Sequence, residues 1–145
     1  MQSYYSIIHF RFSYMGQQET FSHFSFSNPG IDIKIVNGIA VVKCIDRIDI
    51  YNSPVFDAAI DMLIRQSNNS VLLNMRDVFY IDSSGLGVLI SSMRKLNKDG
   101  RFFKIFGLGE FVKKVFKRSL MTTYFDIYET EEDALMSITN SESAD

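Results

Sequence analysis

Hydrophobic and polar positions change period several times along the chain, and each change marks an element. Ile31, Ile33 and Ile35 alternate with polar residues, Asn37-Gly38 is a strong hairpin signal, and Ile39 to Ile45 is a β-branched run, so the spacing predicts two antiparallel strands joined by a tight turn. An acidic loop around Asp46 and Asp49 follows. Asn52 or Ser53 then caps a helix with Pro54 at its first position, where a missing N–H costs nothing, and Val55, Ala58, Ala59, Met62 and Leu63 recur at helical spacing. Val71 to Met75 is a short apolar run of the kind that forms a strand buried on both faces. Ile81 leads through Asp82-Ser83-Ser84-Gly85-Leu86-Gly87 into a second amphipathic helix (Val88, Leu89, Ile90, Met93, Leu96) that closes near Lys98-Asp99-Gly100. Phe102 to Phe106 reads as a strand. Phe111, Val112, Val115 and Phe116 give a third helix one apolar side, with Lys113, Lys114, Lys117 and Arg118 on the other. Phe125 to Tyr128 is a last strand, and Thr130 to Asp133 a capping-box-like start for a final helix through Ile138. The predicted order, β-β-α-β-α-β-α-β-α, implies an α/β fold: a central mixed, mostly parallel sheet with about four helices, entered through an N-terminal β-hairpin.

The boundaries follow from composition: an N-terminal extension over residues 1–28, a domain over 29–139, and a small polar tail over 140–145 that is expected to fray. The extension differs from the rest. It is crowded with aromatics (Tyr4, Tyr5, Phe10, Phe12, Tyr14, Phe21, Phe24, Phe26), carries His9 and His23, and has no lysine. Two readings stand side by side. Met15 marks a natural start and the residues before it come from a misassigned one, or the extension is an extra hairpin or docking arm, since Phe10, Phe12 and Tyr14 alternate like one face of a strand.

At 145 residues with 46% hydrophobic content the chain fills one ordinary domain core, so global disorder is not expected. Its net charge of −2 argues against duplex nucleic acid as a partner, which would call for a basic surface. No stretch approaches the roughly 20 apolar residues of a membrane helix, and the first residues lack the pattern of a secretory signal. With one cysteine, Cys44, no intrachain disulfide forms, and a reducing, cytoplasmic setting is expected.

Candidate chemistry is sparse. The two histidines lie in the extension, neither a nucleophile elbow nor a phosphate-binding loop occurs, and Cys44 has no second cysteine with which to hold a metal. No catalysis, cofactor or metal is expected. Asp82 to Gly87 stands out. Two hydroxyls sit where a helix begins, although one residue suffices as a cap, and Gly85 and Gly87 cost the first turn about 0.5–1 kcal/mol each against alanine. Bare backbone in that position suits close approach by another molecule, and a helix N-terminus favours a phosphate.

Asp-Ser-Ser-Gly-Leu-Gly between an apolar strand and an apolar-faced helix resembles the signature of bacterial anti-sigma factor antagonists, which belong to the STAS domains shared with sulphate transporters. The resemblance covers about Ile31 to Ile138 and includes Asp46-Arg47-Ile48-Asp49, where the family usually has Gly-x-Leu-Asp; Asp46 stands in place of the glycine. It implies that Ser83 is the phosphoacceptor, with Ser84 as neighbour or cap and the less favoured acceptor. It also implies that Asp49, Asp82, Ser84, Gly85, Leu86 and Gly87 form the partner-binding surface. The implied partners are an anti-sigma factor that is also a serine kinase, and a phosphoserine phosphatase, acting on a monomer, with a dimer as the alternative. The unmodified form would bind the anti-sigma factor and free the sigma factor, and phosphorylation would end that binding. A STAS subunit of a transport complex or of a stressosome-like scaffold is the rival, and a hydrolase using Ser83 is a remote one because the domain has no histidine base.

Overall fold

A computed structural model describes residues 8–11, 23–26 and 30–143, with side chains from residue 30 to 141. The linker at Asn28-Pro29, the alternation at Phe12 and Tyr14, and the start at Met15 lie outside the described residues. In chain order the elements are β1 (Ile8–Arg11), β2 (His23–Phe26), β3 (Ile31–Val36), β4 (Ile39–Ile48), α1 (Ser53–Gln66), β5 (Val71–Ile81), α2 (Ser83–Lys98), β6 (Phe103–Phe106), α3 (Glu110–Arg118), β7 (Ile127–Tyr128) and α4 (Glu131–Ser143), with a 3-10 turn at Met121–Thr123 before β7. From β3 onward this is the order the periodicity predicts.

The strands form one mixed sheet in the order β1-β2-β3-β4-β5-β6-β7. β1 through β4 pair antiparallel, and β4 through β7 pair parallel. Asn37 (φ 49°) and Gly38 (φ 78°) both occupy the left-handed region, as a two-residue turn matched to strand twist requires, and they set the register Val36↔Ile39. β1 and β2 extend the sheet beyond β3, with His23 opposite Lys34 and Phe24 opposite Ile33.

Apolar side chains divide between the two faces. Ile33, Val42, Leu73, Met75 and Ile105 pack with Phe56 and Ile60 of α1, Leu89 and Leu96 of α2, and Val112 and Phe116 of α3. On the opposite face Val41, Leu72 and Phe106 meet Ala134 and Ile138 of α4. Lys95 of α2 reaches Asp57 (3.0 Å) and Asp61 (2.8 Å) of α1 and ties those helices together. The buried Cys44 sits in β4, where burial pushes its thiol pKa up to about 12, so packing is its role.

Several boundaries differ from the sequence reading. β4 continues through Asp46 and Arg47, which the charge pattern assigned to a loop, and β5 runs on from Met75 to Ile81. Register shifts between Lys43/Ile45 and Asp46/Arg47 let polar residues occupy strand positions without entering the core. Asp46 takes φ 74°, a left-handed conformation that glycine adopts without cost and that aspartate tolerates better than most residues. α4 runs through Asn140 to Ser143 rather than ending at Ile138. Ser141 donates to the carbonyl of Ser137 (2.8 Å), so a hydroxyl of the tail that was expected to fray bonds back along the helix. Phe125 precedes the short β7 and fills the core beside Phe103 and Phe116. Phe111, counted on the apolar side of α3, is exposed and stacks on Tyr80.

Candidate functional site

β4 and β5 end side by side with Ile48 opposite Ile81, and the next residues of each strand build the site. The backbone N–H of Asp82 donates to the Ile48 carbonyl at 3.3 Å, and the chain then turns directly into α2. Gly85 lies against that same carbonyl. A Cβ at this position would stand 2.7 Å from Ile81 Cγ1 and 3.0 Å from the Ile48 carbonyl carbon, closer than side-chain atoms pack, and closer still to the oxygen. The glycine is therefore the contact that lets α2 start on the rim of the sheet.

Asp82 supplies the helix cap. Its Oδ1 accepts from Gly85 N at 2.9 Å, while Oδ2 accepts from Ile50 N at 3.1 Å, so one carboxylate ties the first turn of α2 to the β4–α1 loop. Ser83 is exposed and Ser84 half-buried, and among the described residues neither hydroxyl has a hydrogen-bond partner. The possibility that one of the serines is simply the cap is thereby removed. The cap is the aspartate, and Ser83 stands free in the first turn of a helix whose N-terminal N–H groups and dipole favour an anion.

Asp49, expected at the partner surface, is only 4% exposed. Its Oδ1 accepts from Tyr51 N (2.9 Å) and Asn52 N (3.2 Å), and Arg47 lies 3.8 Å from Oδ2. Asn52 returns the favour: its Oδ1 accepts from Asp49 N at 2.8 Å and its amide donates to the Arg47 carbonyl. Asn52 thus occupies the cap position of α1 without a side-chain cap bond, because its side chain is committed to the loop. Asp49 folds the loop inward and pushes its neighbours outward, leaving Ile50 62% and Tyr51 88% exposed.

Of the expected site residues, the structure brings Asp49, Asp82, Ser83, Ser84, Gly85, Leu86 and Gly87 to one end of the sheet, but it gives them different parts. Gly85 and Leu86 are buried in the free chain: close packing on β4 and β5 accounts for Gly85, and the core for Leu86. Gly87 is open, with nothing within 4 Å of where a Cβ would stand. The residues that do face outward here went unnoticed in the sequence. Beside Ile50 and Tyr51, the end of β5 exposes Phe79 (69%) and Tyr80, and Tyr80 stacks on Phe111 of α3 at 6.1 Å. Adjacent apolar pairs at Ile50-Tyr51 and Phe79-Tyr80, out of phase with the strand alternation, were the available signal. Among the described residues no cluster of three or more His, Cys, Asp and Glu side chains is arranged to hold a metal, and no helix is long and apolar enough to cross a membrane.

Residues 30–134 match the STAS domain family. The chain is 28% identical over 100 residues to the anti-sigma-B factor antagonist of Bacillus subtilis, an alignment covering 69% of this chain and 91% of that one. It is 26% identical over 103 residues to a Thermotoga maritima protein named as an anti-sigma factor antagonist, covering 70% and 91%. Among solved structures, a Thermotoga maritima anti-sigma factor antagonist superposes with a TM-score of 0.70 at 24% identity, over 75% of this chain and 94% of that one. The unphosphorylated antagonist SpoIIAA superposes with a TM-score of 0.66 at 22% identity, over 76% and 96%. A sulfate transporter family protein of Wolinella succinogenes shares the fold too, with a TM-score of 0.63 at 15% identity over 72% and 88%.

Proposed function

The chain belongs to the STAS domain family, and from that premise we propose that it is an anti-sigma factor antagonist switched by phosphorylation of Ser83. One observation carries the reading. Ser83 is exposed at the start of α2 and its hydroxyl makes no hydrogen bond with the described residues, because Asp82 has already taken the cap. The names of the relatives support the role of antagonist. The partner is then an anti-sigma factor that is also the serine kinase, a phosphoserine phosphatase restores the unmodified form, and the exchange takes place in the cytoplasm.

The unmodified protein docks with the end of the sheet around Ser83 and Gly87, and the exposed Ile50, Tyr51 and Phe79 serve as apolar anchors. Asp49 and Asp82 act behind that surface, holding the loop and the helix start in place. Phosphorylation adds about −1.5 to −2 charges at pH 7. Within the free protein the helix N-terminus favours that charge by about 0.3–1 kcal/mol. Against a docked partner the phosphate has to be desolvated next to the Asp82 carboxylate, and a penalty of about 3 kcal/mol weakens binding about 100-fold. No refolding is needed. Incubation with the cognate kinase and ATP followed by phosphopeptide mapping tests the assignment: label is expected on Ser83, Ser83→Ala stays bound in the presence of ATP, and Ser83→Asp binds poorly. Label on Ser84 alone overturns it.

A further inference from the structure

The outer side of α3 gathers several cations on one short helix. Phe111, Lys114 and Arg118 recur at spacings of three and four and so share one side of the helix, with Lys117 beside them. Lys113 is matched by Glu110 (3.7 Å) and Glu129 (3.3 Å), whereas Lys114, Lys117 and Arg118 make no ion pair with any described residue. In a chain of net charge −2 this is a local excess of unmatched positive charge. Exposed apolar side chains accompany it, Phe111 in the first turn of α3 and Leu120 and Tyr124 in the turn that follows the helix.

Leu120 gives the independent indication. It follows the C-cap Ser119 with φ 59°, the left-handed position where helices usually end in glycine because a Cβ is unfavourable there. Strain of this kind is normally offset by burial, yet Leu120 remains 64% exposed. A leucine that strains the backbone and leaves most of its side chain in water gains little from the isolated fold, and such outliers collect where a surface is used.

We infer that the face formed by Phe111, Lys114, Lys117, Arg118, Leu120 and Tyr124 docks an acidic segment of a partner protein that carries apolar residues between its carboxylates. The exposed carboxylates of Glu110, one turn before Lys114, and of Glu129, which pairs with Lys113, select against a uniform polyanion such as a lipid surface or a nucleic acid, which would meet them with like charge. A protein segment places its acids over the lysines and avoids the edge. The inference stands independently of the role of Ser83, although Phe111 joins this face to Tyr80 near that site.

The test is amide shift mapping on the full chain, using a synthetic peptide of about 20 residues in which leucines recur at helical spacing among glutamates. Shifts confined to residues 111–124 are expected. Lys114→Glu with Arg118→Glu should weaken binding about 10-fold. Leu120→Gly should also weaken it while raising the melting temperature, a combination that a purely structural leucine would not produce. Shifts spread equally over Arg94, Lys98 and α3, or affinity unmoved by the charge reversal, overturn the inference. Binding of phosphatidylserine vesicles through the same residues in place of the peptide overturns the choice of occupant.

Discussion

Replacing Gly85 by alanine sets helix propensity against packing, and the structure decides which wins. Alanine is favoured over glycine within a helix by about 0.8–1 kcal/mol. At this position, however, the added methyl would stand 3.0 Å from the Ile48 carbonyl carbon, nearer still to its oxygen, and 2.7 Å from Ile81 Cγ1. Ordinary carbon contacts begin near 3.5 Å, so α2 has to lift by something on the order of 1 Å, because the Ile48 backbone is held in the sheet by its pairing with Ile81. Overpacking of this sort costs about 1–3 kcal/mol, and lifting the helix also stretches the 3.3 Å bond from Asp82 N to Ile48 O. Gly85→Ala should therefore be destabilising by about 1–2 kcal/mol net, lowering the melting temperature by roughly 3–6 °C for a chain of this size. Gly87→Ala is the internal control, two residues along the same helix with open space around it, and it should be stabilising by about 0.5–1 kcal/mol. Urea unfolding of the two variants beside the parent reads both signs. Gly85→Ala as stable as Gly87→Ala would show that the helix does not rest on the Ile48 carbonyl, and the positioning of Ser83 argued from that contact would fail with it.

Tyr51→Ala should leave thermal stability nearly unchanged, because the side chain is almost wholly in solvent, while weakening anti-sigma factor binding about 10-fold or more as an aromatic anchor does; calorimetric titration separates the two effects. Asp49→Ala strands the N–H groups of Tyr51 and Asn52, costs about 1–3 kcal/mol in urea unfolding, and speeds hydrogen exchange at those amides. The Lys95 pKa is raised, chiefly by its hydrogen bond to Asp61, with Asp57 adding to it. A pKa raised on folding contributes stability that is complete below the ordinary value of 10.5 and lost as pH climbs through the folded value. Lys95→Met should flatten the alkaline end of a melting-temperature profile above pH 10, and a profile that still falls there as the parent's does would refute the assignment.

Strand and helix order was legible in the chain from Ile31 onward because each element carries its own period, and Asn37-Gly38 and Pro54 punctuate it with residues whose backbone preferences are local. The Asp82-to-Gly87 segment stood out in the sequence as well, since two serines and two glycines at a helix start conflict with local stability. Division of labour inside that segment was not. Asp82, rather than either serine, became the cap because the same carboxylate also meets Ile50 N, a residue 32 positions away. Asp49 turned inward because two amides of its own loop converge on it, and Gly85 lies against a strand backbone much earlier in the chain, at Ile48. The strand character of Asp46-Arg47 was hidden by charge, since bulges let polar residues ride at the end of a sheet without burial. Local periodicity records what a residue needs from its near neighbours along the chain. Which oxygen is satisfied, which glycine is crowded and which hydroxyl is left free depend on atoms that only folding brings within 3 Å, and no pattern of spacing contains them.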